Sequence, residues 1–164
     1  MTSNSYKYVR GRLIRLWGET PMIFSFYLSR LTGRRYWPVT VDGTTVFLGF
    51  KTPLHHEIAE QESRGVLESD ILRYWSKIEA NVVYDVGGYN GLYGLFYAKA
   101  HPEAQVTIFE PDFINHRQIL ENIRINSLLN CKVEKVAISD KEGKTPFSQG
   151  GGVQSRRLCK LGVV

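Results

Sequence analysis

The segment VVYDVGGYNGLYG, residues 82–94, decides the fold of this 164-residue chain. A run of β-branched and aromatic residues ends at Asp85, and the glycines that follow within eight positions are Gly87, Gly88, Gly91 and Gly94. Glycine lets the backbone turn sharply, and it lets a ligand approach the main chain without a Cβ between them. We therefore expect a strand that ends at Asp85, followed by a loop that holds a ligand against its backbone.

The sequence on the C-terminal side of this loop alternates between two periodicities. Apolar runs typical of strands lie at 81–86, 105–110 and 131–138, and helix-like stretches lie between them at 92–101 and 112–126. Strand, helix, strand, helix, strand is the pattern of a parallel sheet with crossover helices. Such sheets bind ligands at the carboxyl ends of their strands, which is where the glycine loop falls.

Two common phosphate-binding motifs do not fit the glycine loop. A P-loop ends in Gly-Lys-Ser or Gly-Lys-Thr, and the loop contains no such pair. The dinucleotide fingerprint needs glycines at i, i+2 and i+5, and no choice of the first glycine satisfies it. A second acidic residue, Glu110, ends the next predicted strand, 25 residues after Asp85. A carboxylate at that position can accept hydrogen bonds from both hydroxyls of a ribose.

Four segments in order carry a resemblance to a known family. DVGGYNGLYGL, FEPD, ENIRIN and AISDKEG are similar, in order and spacing, to the FkbM-type S-adenosylmethionine-dependent methyltransferases. The resemblance covers about residues 57–148. It departs from the family pattern in the glycine loop, where Gly88-Tyr89 replaces Ala-Asn and an asparagine, Asn90, follows one place later.

The resemblance implies S-adenosylmethionine as the cofactor and assigns residues to it. Asp85, Gly87 and Gly91 would surround its methionine end, Glu110 would bind the ribose, and residues 137–140 would lie beside the adenine. The implied cofactor-binding residues are Asp85, Gly87, Gly88, Asn90, Gly91, Glu110 and Asp140. Two alternatives stay open: Asp140 also begins a plausible Asp-Lys-Glu-Gly turn, and Glu110 could be a solvated strand end.

The first 50 residues are predicted to form a basic, aromatic helical segment and a β-hairpin. Seven of the 21 basic side chains and one of the 16 acidic ones lie in residues 1–37, so this segment has a net charge of +6 and the remainder a net charge of −1. A helix is expected from Thr20-Pro21 to Gly33, with aromatic and apolar side chains on more than one face. It either packs on the main domain or, with its neighbours over 6–36, makes a peripheral membrane contact. Asp42-Gly43 predicts the hairpin turn, and a further helix is expected over 66–78.

Residues 51–148 are predicted to form part of a methyltransferase domain. The family's sheet has seven strands, and this chain supplies the first three, so we expect an incomplete Rossmann-like α/β sheet. The glycine-rich and basic residues 149–164 read as a disordered tail, as in a truncated product.

No general base stands out, because His101 and His116 read as helix-surface residues. His55-His56-Glu57 lacks the second histidine of a zinc motif, so no metal is expected.

The sequence therefore predicts a methyltransferase that O-methylates a small-molecule or glycan hydroxyl. A non-catalytic cofactor-binding or interaction fragment is the alternative, and a nicotinamide-dependent oxidoreductase is a weaker one. The neutral body argues against a nucleic-acid partner. Two isolated cysteines and the lack of a signal peptide fit a cytoplasmic setting. An unpaired edge of the strand at 82–86 would favour pairing with a second chain.

Overall fold

The computed structural model describes residues 21–65, 68–148 and 156–163. The predicted capping residue Thr20 and most of the basic N-terminal segment lie outside the described residues. The elements are helical residues 21–31 (α1), β1 Tyr36–Val41, β2 Thr44–Gly49, α2 Pro53–Ser63, α3 Ser69–Trp75, β3 Val82–Val86, α4 Leu92–Ala100, β4 Gln105–Phe109, α5 Phe113–Ile125, β5 Cys131–Glu134, β6 Ala137–Ile138, β7 Gly143–Ser148 and β8 Arg156–Gly162.

The central sheet is parallel, in the order β3-β4-β5. Its register places Val83 beside Val106 and Val106 beside Cys131, and these side chains are buried under α4 and α5. This is the partial Rossmann-like α/β fold that the sequence predicts. The third strand is shorter than predicted, because the N–H of Val136 bonds to the carbonyl of Glu134 and turns the chain after β5.

The predicted β-hairpin is confirmed. β1 and β2 pair antiparallel with Val41 opposite Thr44. The two turn residues have positive φ, 47° at Asp42 and 83° at Gly43, which suits the tight two-residue turn that a twisted hairpin needs. Val39 and Leu48 point into the core and are at most 1 % exposed.

Helix α4 occupies the middle of the core, between the hairpin and the central sheet. Leu95, Phe96 and Tyr97 are fully buried, which explains why this helix is apolar around most of its circumference. The hydroxyl of Tyr97 donates to the carbonyl of Ile78 and accepts from the N–H of Ala80. It thereby ties the segment before β3 to α4.

Strand β3 has one exposed face, and among the described residues it is one of the two edge strands of the central sheet, the other being β5. Val82, Tyr84 and Val86 are 58 %, 52 % and 60 % exposed, on the face opposite α4 and α5. Within the described residues β3 pairs with β4 alone, so it is an edge strand, as predicted. A cavity of about 370 Å³ separates this face from the small sheet β6-β8-β7.

Three predictions about the remaining chain need correction. Residues 156–162 form a strand, where we expected a disordered tail, because β7 offers a complete antiparallel partner with Ser148 opposite Arg156. Amino-acid composition alone does not reveal this pairing. The helix expected over 66–78 is only Ser69–Trp75. Helix α2 was not predicted; Thr52 caps its first turn by accepting a bond from the N–H of His55.

None of the described helices is both long enough and apolar enough to cross a bilayer.

Candidate functional site

The glycine loop connects β3 to α4 at the carboxyl edge of the parallel sheet. Gly87 has a φ of +83°, and a Cβ built on it would meet no atom within 4 Å. Its N–H bonds to the carbonyl of Phe109 at the end of β4, which fixes the start of the loop. Gly91, with a φ of +86°, ends the loop directly before α4. The loop therefore exposes bare backbone at Gly87, where a ligand can approach closely.

Two of the other glycines are required by packing. A Cβ on Gly88 would lie 2.2 Å from Cγ2 of Ile108, and one on Gly94 would lie 2.6 Å from Cγ1 of the same residue. Such distances are far below van der Waals contact, so these two glycines let α4 and its loop lie directly on β4. Gly88 was predicted as a cofactor residue; its missing side chain is explained by Ile108.

Asp85 lies beneath the loop and holds the start of α4. Its Oδ2 accepts a hydrogen bond of 3.0 Å from the N–H of Gly94. Burial raises the pKa of the Asp85 carboxyl, and the bond from Gly94 opposes this rise. The strand-terminal aspartate thus fixes the geometry between β3 and α4, beside the bare backbone of Gly87.

Glu110 ends β4 next to the loop and is only 5 % exposed, so the alternative of a solvated strand end is wrong. One carboxylate oxygen accepts from the N–H of Tyr89 and the other from the N–H of Asp112, both at 2.8 Å. Burial raises the pKa of the Glu110 carboxyl, and these two bonds lower it. The side chain of Asn115 bonds to this carboxylate as well, so two ribose hydroxyls can be accepted only if they displace that amide.

Tyr89 lies over this carboxylate, at the position where the family pattern has asparagine. Its backbone has a φ of +51°, which is unusual for a residue with a Cβ. Its ring meets the edge of His55 with 5.1 Å between the ring centroids. Burial raises the pKa of Tyr89 to about 12. The residue that departs from the family pattern therefore sits directly beside the predicted ribose site.

His55 and Asn115 complete the surroundings of Glu110. Nε2 of His55 lies 2.9 Å from Oδ1 of Asn115, whose side chain also interacts with Glu110. Burial lowers the pKa of His55, which favours a neutral ring. The adjacent His56 turns away and bonds through Nε2 to Ser29 on α1. The two histidines therefore have separate partners, and sequence reasoning missed the placement of His55 because more than 30 residues separate it from the glycine loop.

Asn122 on α5 fastens the loop to the hairpin. Its Nδ2 donates to the carbonyl of Asn90 in the glycine loop, and its Oδ1 accepts from the N–H of Gly49 in β2. One turn later, Asn126 accepts from the N–H of Phe47 and donates to its carbonyl. These two asparagines are the N-x-x-x-N element of the resemblance, and they join three parts of the fold.

Asn90, a predicted cofactor residue, has a structural contact. Its Oδ1 accepts from the N–H of Leu92, two residues on, and so stabilises the turn that leads into α4. Its Nδ2 is buried without a hydrogen-bond partner among the described residues.

Asp140 stands apart from the residues above. It is exposed, two positions beyond β6, and accepts a bond from the hydroxyl of Ser139. The structure thus brings Asp85, Gly87, Asn90, Gly91 and Glu110 together, whereas the contacts of the described residues do not join Asp140 to them.

Three similar solved structures are distant from this chain in sequence. The tRNA (uracil-54, C5)-methyltransferase of Pyrococcus abyssi, in complex with S-adenosyl-L-homocysteine, is 17% identical over 61% of this chain, with a TM-score of 0.42. An O-methyltransferase family protein of Burkholderia thailandensis is 16% identical over 50%, with a TM-score of 0.40. The SAM-dependent methyltransferase of Agrobacterium tumefaciens is 18% identical over 63%, with a TM-score of 0.39.

The matched part spans 23%, 26% and 33% of those three proteins' own lengths, respectively. No protein-family model matches the sequence, and no curated protein matches it.

Proposed function

We propose that this chain contains the S-adenosylmethionine-binding part of a methyltransferase. The observation that carries the proposal is the juxtaposition of two strand ends. Bare backbone at Gly87 follows β3, and the nearly buried carboxylate of Glu110 follows the neighbouring β4. A glycine loop and a carboxylate in this arrangement suit a nucleoside, because the carboxylate accepts the two ribose hydroxyls while the loop admits the rest of the molecule.

Three of the predicted residues have a direct role in this proposal. Glu110 binds the ribose hydroxyls beside the N–H groups of Tyr89 and Asp112, in place of the side chain of Asn115. Asp85 holds the first turn of α4, and Gly87 leaves space for the methionine end of the cofactor. The adenine would lie toward the segment that contains Asp140.

When bound, S-adenosylmethionine supplies a methyl group activated by a sulfonium. The chain's own contribution is to orient that group toward the acceptor, since in-line displacement depends chiefly on positioning. We propose an FkbM-type enzyme that acts on a small-molecule or glycan hydroxyl. His55, whose ring contacts Tyr89 of the glycine loop, is 1 % exposed and therefore not accessible to an acceptor in this structure. We therefore assign no general base.

Calorimetric titration of the chain with S-adenosylmethionine tests the proposal. We expect binding at about micromolar Kd, weakened at least about tenfold by Glu110→Gln, because the amide cannot accept hydrogen bonds at both of its terminal atoms. The matched control is Glu134→Gln, an exposed glutamate at the end of the next strand, β5. Equal weakening by both variants, or no binding by the folded wild type, would contradict the proposal. NAD is the comparison ligand, and its binding instead would favour the oxidoreductase alternative.

The second candidate function is a non-catalytic fragment that binds another chain. The open edge of β3 and its exposed Val82 and Val86 favour this candidate, because an unpaired edge strand readily accepts another strand. We propose that the partner is a second copy of this chain. Light scattering should then give a dimer mass that Val86→Lys reduces to a monomer mass; a wild-type monomer at all concentrations would exclude this pairing.

A further inference from the structure

Helix α1 carries apolar side chains on the face that points away from the protein. Phe24, Tyr27, Leu28 and Leu31 are 71 %, 60 %, 49 % and 85 % exposed. Their spacing of i, i+3, i+4 and i+7 places them in one stripe along the helix. We call these four residues the α1 face. A helix that merely covers a core carries polar residues on its outer side, so the α1 face needs a different explanation.

The inner side of α1 is already occupied. Phe26 is buried against Phe50 and His56, and the hydroxyl of Ser29 lies 2.7 Å from Nε2 of His56. These contacts fix the rotation of the helix about its axis. The α1 face therefore cannot turn inward without breaking buried contacts.

A basic cavity adjoins α1. A cavity of about 370 Å³ is lined by Arg30, Arg34, Arg35 and Lys51, together with Phe50 and Glu121. Glu121 pairs with Lys51, and the three arginines are exposed. The guanidinium of Arg34 is held 4.0 Å above the ring of Trp37. The cavity thus presents fixed positive charge at the end of the apolar stripe.

We propose that α1 binds the surface of a bilayer that contains anionic lipids. An apolar stripe with adjacent arginines matches the acyl boundary and the negative headgroups of such a surface. The net charge of +6 over residues 1–37 has the sign that this partner requires. In this arrangement the α1 face enters the headgroup region, and the basic cavity receives the negative charge of a lipid headgroup.

Co-sedimentation of the full chain with vesicles tests the proposal. Vesicles of about three parts phosphatidylcholine to one part phosphatidylserine should bind the chain, and pure phosphatidylcholine vesicles should bind it much more weakly. The double variant Leu31→Ser, Arg35→Gln should lose at least about tenfold in affinity, because it removes one apolar and one ionic contact. The matched control is Leu129→Ser, Lys99→Gln, which replaces one leucine and one basic residue at exposed positions on another surface and should bind like the wild type.

Equal losses in both double variants, or equal binding to both kinds of vesicle, would overturn the proposal. A dimer that Leu31→Ser dissociates would also overturn it, because the α1 face would then be covered by a second copy. Circular dichroism checks that the variants are folded. If the double variant is not, Phe24→Ser alone must reproduce the loss of binding, and unchanged binding would count against the proposal. Because this inference does not involve S-adenosylmethionine, failure of the calorimetric titration leaves it standing.

Discussion

Replacing Asn122 by alanine should destabilise the chain strongly, because its side chain joins three elements. The residue is fully buried, and the change would leave the N–H of Gly49 and the carbonyl of Asn90 without their partners. Each buried polar group left unpaired costs about 1–3 kcal/mol. The higher helix propensity of alanine returns about 0.5 kcal/mol. The free energy of unfolding should therefore fall by about 1.5–5.5 kcal/mol.

Urea unfolding followed by tryptophan fluorescence measures this loss. Arg124→Ala on the exposed side of the same helix is the control, and it should change the free energy of unfolding by less than about 0.5 kcal/mol. Hydrogen exchange should also show faster exchange at the amide of Gly49 in Asn122→Ala. A loss below about 1 kcal/mol, with unchanged exchange, would refute the idea that Asn122 fastens the loop to the hairpin.

Two further predictions concern packing and pH. Gly88→Ala should lower the free energy of unfolding by about 1–3 kcal/mol, because its Cβ would lie 2.2 Å from Ile108; an unchanged urea midpoint would contradict the packing role. Burial lowers the pKa of His56, so the folded ring stays neutral while the unfolded ring takes up a proton. The contribution of His56 to stability should be complete above about pH 6.5 and fall below it. The stability difference between the wild type and His56→Phe, measured in urea at several pH values, should show this trend; a difference independent of pH would argue against a buried neutral ring.

The sequence predicts the central sheet well because its signals are local. Apolar runs alternate with helical periodicity, and the glycine loop and Glu110 stand at strand ends, where parallel sheets bind ligands. The hairpin follows from Asp42-Gly43 in the same way. Each of these features depends on neighbouring residues, so each can be read without knowing the tertiary contacts.

The missed features depend on strand pairing and tertiary packing that composition and local periodicity do not show. Strand β8 exists through its pairing with β7, and its own composition suggested a tail. Likewise, His55 lies beside Tyr89 because α2 packs near the glycine loop, and no local pattern indicates this. From the sequence, Gly88 was interpreted as a cofactor-binding residue. Its packing against Ile108 is visible only in three dimensions.

The paired asparagines of α5 also have a geometric consequence. Four residues of an α-helix rise about 6.0 Å along its axis, and two residues of a strand advance about 6.8 Å. The side-chain amides of Asn122 and Asn126 are therefore spaced along the helix almost as far apart as Gly49 and Phe47 are along β2. A side-chain amide offers the same kinds of donor and acceptor as a peptide group, and Asn126 uses both on Phe47, whereas Asn122 accepts from Gly49 and donates to the glycine loop. In this chain the N-x-x-x-N pair therefore determines which strand edge α5 covers, information that hydrophobic periodicity alone does not contain.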